Sequence, residues 1–363
     1  MKEREPVLIR SRFERSAALA LAVLFVLSFL PARIAHAFRD PSAPPRPLVH
    51  LPADQANHPA DHNEWWYVVG HLNAGKRRFG FEVTFFRLAH LQAPGLPAPV
   101  TVYRTDVAIT DEAAHRFHHT VSYYFPGQAR ISSRTLSVQV GGAALTGATP
   151  TRMSLRAGLA GGSIRLSLSS KRSPMYVVGR GYLPFGGGFT YYYSLTDIAS
   201  SGTLSLGGHT YAVSGVSWLD HQWGNWSWQS VRGWTWMALQ LSNGVQLSVF
   251  DVRGTKTHVR AASVLLANGS LRTLSGVRIR SLSTWTSPHT GGHYPSRWVV
   301  TIPALKAVLH VEPAVLDQEV AVPNQKAGSY WEGSGRITGT FGGKPVGGLS
   351  YTELTGYAAG FIG

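Results

Sequence analysis

Short segments in which apolar and polar side chains alternate, each cut off by glycine, dominate this chain from Glu64 onward. "EWWYVVGHL", "RRFGFEVTFFRLA", "VYRTDVAITD", "RFHHTVSYYF", "SIRLSLSSK", "MYVVGRGYL" and "FTYYYSLTDI" follow a two-residue period and are rich in β-branched and aromatic residues. That is the pattern of half-buried strands. No stretch in this region carries the apolar stripe of an amphipathic helix of normal length. Many short strands at close spacing predict an all-β, antiparallel fold of barrels or sandwiches.

A faint internal repeat sets the number of units. "EWWYVVGHLNAGKRRFGFEVTFFR" (Glu64–Arg87) can be laid over "GWTWMALQLSNGVQLSVFDVR" (Gly233–Arg253), which brings Trp65 onto Trp234, Leu72 onto Leu241 and Arg87 onto Arg253. Each copy reads as a strand, an Asn-containing turn and a returning strand. Two related β domains are therefore expected, each suited to a barrel of about eight strands that can hold one small ligand. The Gly/Ser-rich "DIASSGTLSLGGHTYAVSG" is the expected division, with domains over 64–210 and 211–363.

The N-terminus reads as an export signal. A basic stretch with Lys2, Arg4, Arg10, Arg12 and Arg15 precedes the apolar "SAALALAVLFVLSFLP", and Ala35-His36-Ala37 forms a small-residue cleavage site. Residues 1–37 are thus expected to be a Sec-type signal peptide, with a periplasmic or secreted product beginning at Phe38; the other reading, an uncleaved N-terminal anchor, is compatible with Arg33 directly after the apolar run. Residues 38–63, rich in Pro, Asp and His, read as an extended arm. The absence of cysteine removes disulfides, thiol nucleophiles and zinc–thiolate sites, so stability must come from the core. Net charge is +15; the leader holds six basic and three acidic residues, so +12 lies beyond it, mostly as scattered arginine. Peripheral contact with an anionic membrane surface fits that charge, and no nucleic-acid-binding motif accompanies it.

"VSWLDHQWGNWSWQSVRGWTW" (Val216–Trp236) holds six of the eleven tryptophans around Asp220 and His221. Each buried indole offers large contact area but needs a partner for its N–H, so such a cluster marks a demanding core or an amphipathic ligand site. On a strand Asp220 and His221 face opposite sides; on a bulge both can share one.

"EWWYVVGHL", "WLDHQWGNW" followed by "GWTWMALQL", and the terminal "SYWEGSGRITGT…LSYTELTGY" together resemble the signature regions of the carotenoid 1,2-hydratase-like, AttH-like secreted proteins. The resemblance runs through nearly all of the chain beyond the leader. It implies two tandem lipocalin-like antiparallel β-barrel domains. It also implies a cofactor-independent hydratase that adds water to a C=C bond of an apolar, isoprenoid-like substrate. Such a reaction needs a proton donor, an aromatic wall that tolerates a carbocation, and a controlled water. His221 and Trp223 match the family's His and Trp, and Asp251 in "FDVR" its carboxylate, whereas Val249 stands where the family places a Tyr. The expected site is therefore His221, Asp251 and Asp220 for catalysis, with Trp223, Trp226, Trp236, Trp65, Tyr67, Tyr191 and Tyr193 around an apolar or lipid-like ligand, and neither cofactor nor metal. The other reading is a non-catalytic periplasmic carrier or chaperone for a hydrophobic ligand, which needs only an apolar lumen.

Several other polar residues read as structural. Glu82 in "GFEVTFF" is expected to point inward toward Arg87 or Arg104. His115, His118 and His119 read as a solvated hairpin end, and Trp331, Glu332 and Glu353 as closing the second barrel. No G-x-S-x-G elbow, H-E-x-x-H motif, dinucleotide fingerprint or phosphate loop is present. Replacing Leu24 and Leu27 by Arg should hold the precursor in the cytoplasm, since charge in the apolar stretch blocks recognition. Cell fractionation checks this, and unchanged export contradicts it.

Overall fold

The computed structural model describes residues 48–91, 98–323 and 326–358; the signal-peptide reading falls outside them. The first sheet holds thirteen strands. In chain order they are β1 (Asn63–Ala74), β2 (Arg77–Leu91), β3 (Val100–Asp111), β4 (Arg116–Tyr124), β5 (Ala129–Ile131), β6 (Leu136–Val140), β7 (Ala143–Thr149), β8 (Arg152–Leu159), β9 (Gly162–Ser170), β10 (Met175–Tyr176), β11 (Tyr182–Phe185), β12 (Gly188–Leu206) and β13 (His209–Asn225). The second holds ten: β14 (Val231–Leu241), β15 (Gln246–Gly254), β16 (His258–Leu265), β17 (Leu271–Leu274), β18 (Arg278–Thr286), β19 (His293–Ile302), β20 (Ala307–Pro313), β21 (Glu319–Val320), β22 (Tyr330–Phe341) and β23 (Lys344–Thr355). Only single 3-10 turns interrupt them among the described residues, and no described helix is long and apolar enough to cross a membrane.

Both sheets follow one plan. The first runs β4-β3-β2-β1-β13-β12-β9-β8-β7-β6-β5, and the second β17-β16-β15-β14-β23-β22-β20-β19-β18. In each, a four-strand meander is joined through its first strand to the last strand of the unit. The repeated segments are equivalent hairpins, β1–β2 and β14–β15. The result is the expected all-β, lipocalin-like pair, one sheet forming a nearly closed barrel and the other a half-barrel.

The change of sheet does not fall at residue 210. β12 and β13 are paired from Leu206↔His209 to Phe189↔Asn225, so the Gly/Ser-rich stretch forms the end of a long hairpin. Gly207 and Gly208, at φ of 58° and 81°, make its tight turn, where left-handed backbone suits a two-residue connection. The chain enters the second sheet only between Asn225 and Val231. The tryptophan-rich motif therefore straddles the junction and does not open the second domain.

Three large apolar clusters and two small ones result among the described residues. One fills the first barrel around Trp66, Phe81, Phe85, Leu145 and Leu195, and one lies within the second sheet around Trp298, Trp331 and Leu309. The third joins Tyr67, Val69, Leu183, Tyr192 and Trp218 of the first sheet to Trp236, Phe250 and Tyr351 of the second. Polar side chains cross the same boundary. Tyr67 O–H donates to Glu332 Oε1 at 2.7 Å, Tyr330 O–H reaches Glu82 Oε1 at 2.6 Å and Asp106 Oδ2 at 2.7 Å, and Thr110 Oγ1 donates to Gln318 Oε1 at 2.7 Å.

Glu82 is buried as expected, but neither expected arginine holds it. Arg104 pairs with Asp106 and Arg87 with Glu64. Thr84 and Tyr330 supply its hydrogen bonds, both to Oε1, while Oε2 has no partner. Burial and the neighbouring Asp106 charge push the Glu82 carboxyl well above the usual range. A carboxyl protonated in the folded state and ionised in the unfolded state loses its share of stability as pH rises above the ordinary glutamate value. Glu82→Gln, neutral throughout, should therefore gain on the parent by up to ~1.4 kcal/mol per pH unit above that value. Denaturant unfolding from pH 4 to pH 8 measures the difference, and parallel curves contradict the assignment.

Candidate functional site

Strand β13 divides its side chains between two surroundings, because neighbouring positions on a strand point to opposite faces. Trp218, Asp220 and Gln222 face the second sheet, and Leu219, His221 and Trp223 face the interior of the first barrel. From Leu219 to Trp223 the pairing of β13 with β1 and β12 is regular; the irregularity in β12 between Leu195 and Ile198 lies opposite Trp218 and does not bring Asp220 and His221 to one side.

The Asp220 face opens on a cavity between the sheets. Trp65, Trp234, Trp236, Phe185 and Phe250 form its aromatic wall, and Tyr67, Tyr192, Asp220, Gln222 and Glu353 add polar groups. Its volume is about 50 Å³, room for a few waters but far below a pocket that encloses a whole small-molecule ligand. Trp65 and Trp234, which coincide in the internal repeat, face it from opposite sheets. Edge-on contacts fix the aromatic wall: Trp65 on Trp226 at 5.3 Å, Tyr67 on Trp236 at 5.4 Å, and Phe185 on Trp226 at 5.1 Å.

Two carboxyl groups look into this aromatic space. Trp218 Nε1–H donates to Asp220 Oδ1 at 2.6 Å and Tyr192 O–H donates to Oδ2. Burial pushes the Asp220 carboxyl up to about 7, against the hydrogen bonds of Ser194, Tyr192 and Trp218. Glu353 is more open, and Thr355 Oγ1 donates to its Oε1 at 3.1 Å. Burial, reinforced by the charges of Asp220 and Asp106, pushes the Glu353 carboxyl up to about 7 against hydrogen bonds from Trp234 and Thr355. Below them Tyr67 connects the cavity to Glu332, whose carboxyl burial pushes well above its ordinary range.

On the other face of β13 lies a separate polar cluster. His221 Nε2 and His58 Nδ1 both meet Glu64 Oε1, at 3.0 and 2.8 Å, and Arg87 Nε donates to Glu64 Oε2 at 3.1 Å. The rings are fixed by stacking: His221 on Trp66 at 4.6 Å, and His58 on Trp223 at 3.9 Å with the two planes nearly parallel. Burial alone would raise Glu64; the hydrogen bonds from His221 and His58 overcome it and hold the carboxyl down at about 2. Burial lowers the His221 pKa.

The expected single site is thus split. Trp65, Tyr67, Trp236 and Asp220 line the inter-sheet cavity, with Trp226 packed behind its wall. His221, Trp223, Tyr191 and Tyr193 lie together on the first-barrel side, Tyr191 stacked on Trp223 at 5.4 Å. Asp251 joins neither. It alternates with Phe250 and Val252, which face the cavity, so its carboxylate lies on the opposite face of β15, the face of Val249, where His258 and Arg260 pair with it. The strand period that gave Asp251 its match to the family motif also turns it away. His119 Nε2 lies 3.0 Å from the carbonyl of Ala321, and among the described residues the three "HRFHHT" histidines belong to no metal-ligating group.

Tyr192 and Glu353 are the site residues missing from the sequence-based set. Tyr192 was legible as the one member of Tyr191–Tyr193 on the opposite face. Glu353 carried no such signal, because its position depends on β23 closing against β14.

A lipocalin-like scaffold of a nearly closed barrel and a half-barrel, with an aromatic, carboxyl-bearing cavity between the two sheets, defines the class. The chain belongs to the AttH-like family, whose model matches residues 42–357. A crystal structure from Nitrosomonas europaea described as AttH is similar at 27% identity and a TM-score of 0.76, over 87% of this chain and 99% of that one. Kievitone hydratase from Nectria haematococca shares the fold at 19% identity and a TM-score of 0.69, over 85% of this chain and 92% of that one. The search of curated proteins found no match.

Tyr192→Phe removes one of the donors to a buried carboxyl and should cost roughly 1–3 kcal/mol in denaturant unfolding. Tyr191→Phe, whose ring rather than its hydroxyl is engaged with Trp223, should cost less than about 0.5 kcal/mol. Equal effects would contradict the division of the tyrosines between two faces.

Proposed function

We propose that the protein is an exported, cofactor-independent hydratase that adds water to an electron-rich C=C bond of an apolar substrate in the cavity between its two sheets. The observation that carries this reading is the convergence of Asp220 and Glu353 on one aromatic-walled space. Kievitone hydratase, with the same fold, is by name a hydratase, and the leader-like residues 1–37 underlie the exported setting.

Glu353, the more open carboxyl, donates its proton to one alkene carbon, so the π bond breaks and a C–H bond forms. The positive charge left on the other carbon faces Trp65, Trp234 and Trp236, whose π clouds attract cations. A water oxygen bonds to that carbon and gives its proton to Asp220. Asp220 is set to accept, since Trp218 and Tyr192 both present donors to its oxygens. One proton passed from Asp220 back to Glu353 through solvent restores the starting state, and the net change is alkene plus water to alcohol. The cavity accommodates the reacting end of the molecule and the water, and the aromatic side chains around it must part for the remainder.

With an apolar trisubstituted alkene, Glu353→Gln and Asp220→Asn should each lower kcat/KM by roughly 10²–10⁴-fold while the chain stays folded. Parental kcat/KM should also fall as pH rises through about 7, where Glu353 loses the proton it must donate. Turnover that survives both substitutions contradicts the proposal. Tight binding of apolar ligands with no turnover by the parent would favour a carrier.

A further inference from the structure

We infer that His58, Glu64 and His221 form a binding site for a divalent transition-metal ion of the Zn²⁺ class, separate from the inter-sheet cavity and independent of the proposed hydration. The one ligand atom offered by each residue lies within 4.8 Å of the others. Zn–N and Zn–O bonds of about 2.0–2.1 Å at tetrahedral angles set donors roughly 3.3 Å apart. The two imidazole nitrogens are 2.8 and 3.0 Å from Glu64 Oε1 and within 4.8 Å of each other, so small side-chain adjustments, outward from the carboxylate and of the rings toward one another, bring all three to ligand spacing. Two imidazoles and one carboxylate leave a fourth position for water or another ligand.

The surroundings fit ligands better than a hydrogen-bonded core alone requires. Arg87 Nε donates to Glu64 Oε2 and the His58 backbone N–H is shared between Oε1 and Oε2 at 3.1 Å each, which fixes the carboxylate with Oε1 turned toward the two imidazoles, and Arg87 Nη2 is anchored on the carbonyls of His58 and Asp61 at 2.7 and 2.8 Å. Ligation through Nδ1 puts the His58 proton on Nε2, which faces Asp54 Oδ1 at 3.7 Å; a carboxylate behind a ligating imidazole is the usual outer support of a metal site. Stacking of both rings on Trp66 and Trp223 limits their rotation before any ion arrives. Asp54 and Asp61 lie beside Glu64, so the cluster holds more carboxyl groups than the single guanidinium of Arg87 can pair, a setting in which a divalent cation finds compensating charge. His58 is the partly exposed member, so the site can be reached from the side of the segment that precedes β1. A bound ion would pin that segment to β1 and β13, the strands that carry the other two ligands.

The full chain, treated with EDTA and desalted, is titrated with ZnSO₄ by calorimetry and with Co²⁺ followed by visible absorption. The expected result is one ion per chain, a Co²⁺ spectrum of four-coordinate type, and a raised Tm with Zn²⁺. His58→Ala should abolish stoichiometric binding while near-UV circular dichroism of the tryptophans is kept. Asp54→Asn should weaken it roughly 10–100-fold. The double substitution His118→Ala, His119→Ala should change nothing. No stoichiometric binding by the folded parent, binding undiminished in the His58 variant, or binding lost in the His118/His119 variant would each overturn the site.

Discussion

The alternation of side chains along β13 is the constraint on which the rest depends. β13 pairs with β1 on one side and β12 on the other while its two faces serve different interiors. Each residue of "WLDHQW" is thereby committed to one of two environments one residue apart. A slip of one position in this register would carry His221 and its neighbours into the inter-sheet cavity and Asp220 into the first barrel. Hydrogen-bonded neighbours on both sides, and indole rings seated on both faces, make such a slip costly.

That division separates two kinds of electrostatics. Toward the second sheet, Asp220 and Glu353 lie among aromatic rings with no ion pair to a cation among the described residues, and burial pushes both carboxyls up to about 7. Toward the first barrel, Glu64 has Arg87 and two imidazoles around it and stays ionised. Carboxyls that exchange protons near pH 7 suit acid–base work, and a carboxylate fixed in its charged form suits holding a cation. One chain thus presents both situations across the thickness of a single strand.

Much of the architecture was legible in the sequence because it rests on local pattern. Period two gave the strands, and the Trp65/Trp234 repeat gave two equivalent hairpins. The opposite facing of Trp66 from Trp65 and Tyr67 also follows directly from alternation. The boundary at residue 210 misled, since glycine marks a tight hairpin turn as readily as a linker, and only the pairing of β12 with β13 tells them apart. The site was half legible. Asp220 and the tryptophans stood together in one stretch, but Asp251 was chosen by motif, and its facing depends on which side of β15 meets the first sheet. Glu353 and His58 are far from the motif in sequence, and strand closure and the path of the arm bring them to it.

The most direct test of where chemistry occurs is a crystal structure of the chain with a bound tertiary amine on an apolar chain, a stable mimic of the carbocation. The account places the ammonium between Trp65 and Trp234, within hydrogen-bond or ion-pair distance of Asp220 or Glu353. Density for the amine inside the first barrel against His221 and Trp223, with the inter-sheet cavity unchanged, would contradict it.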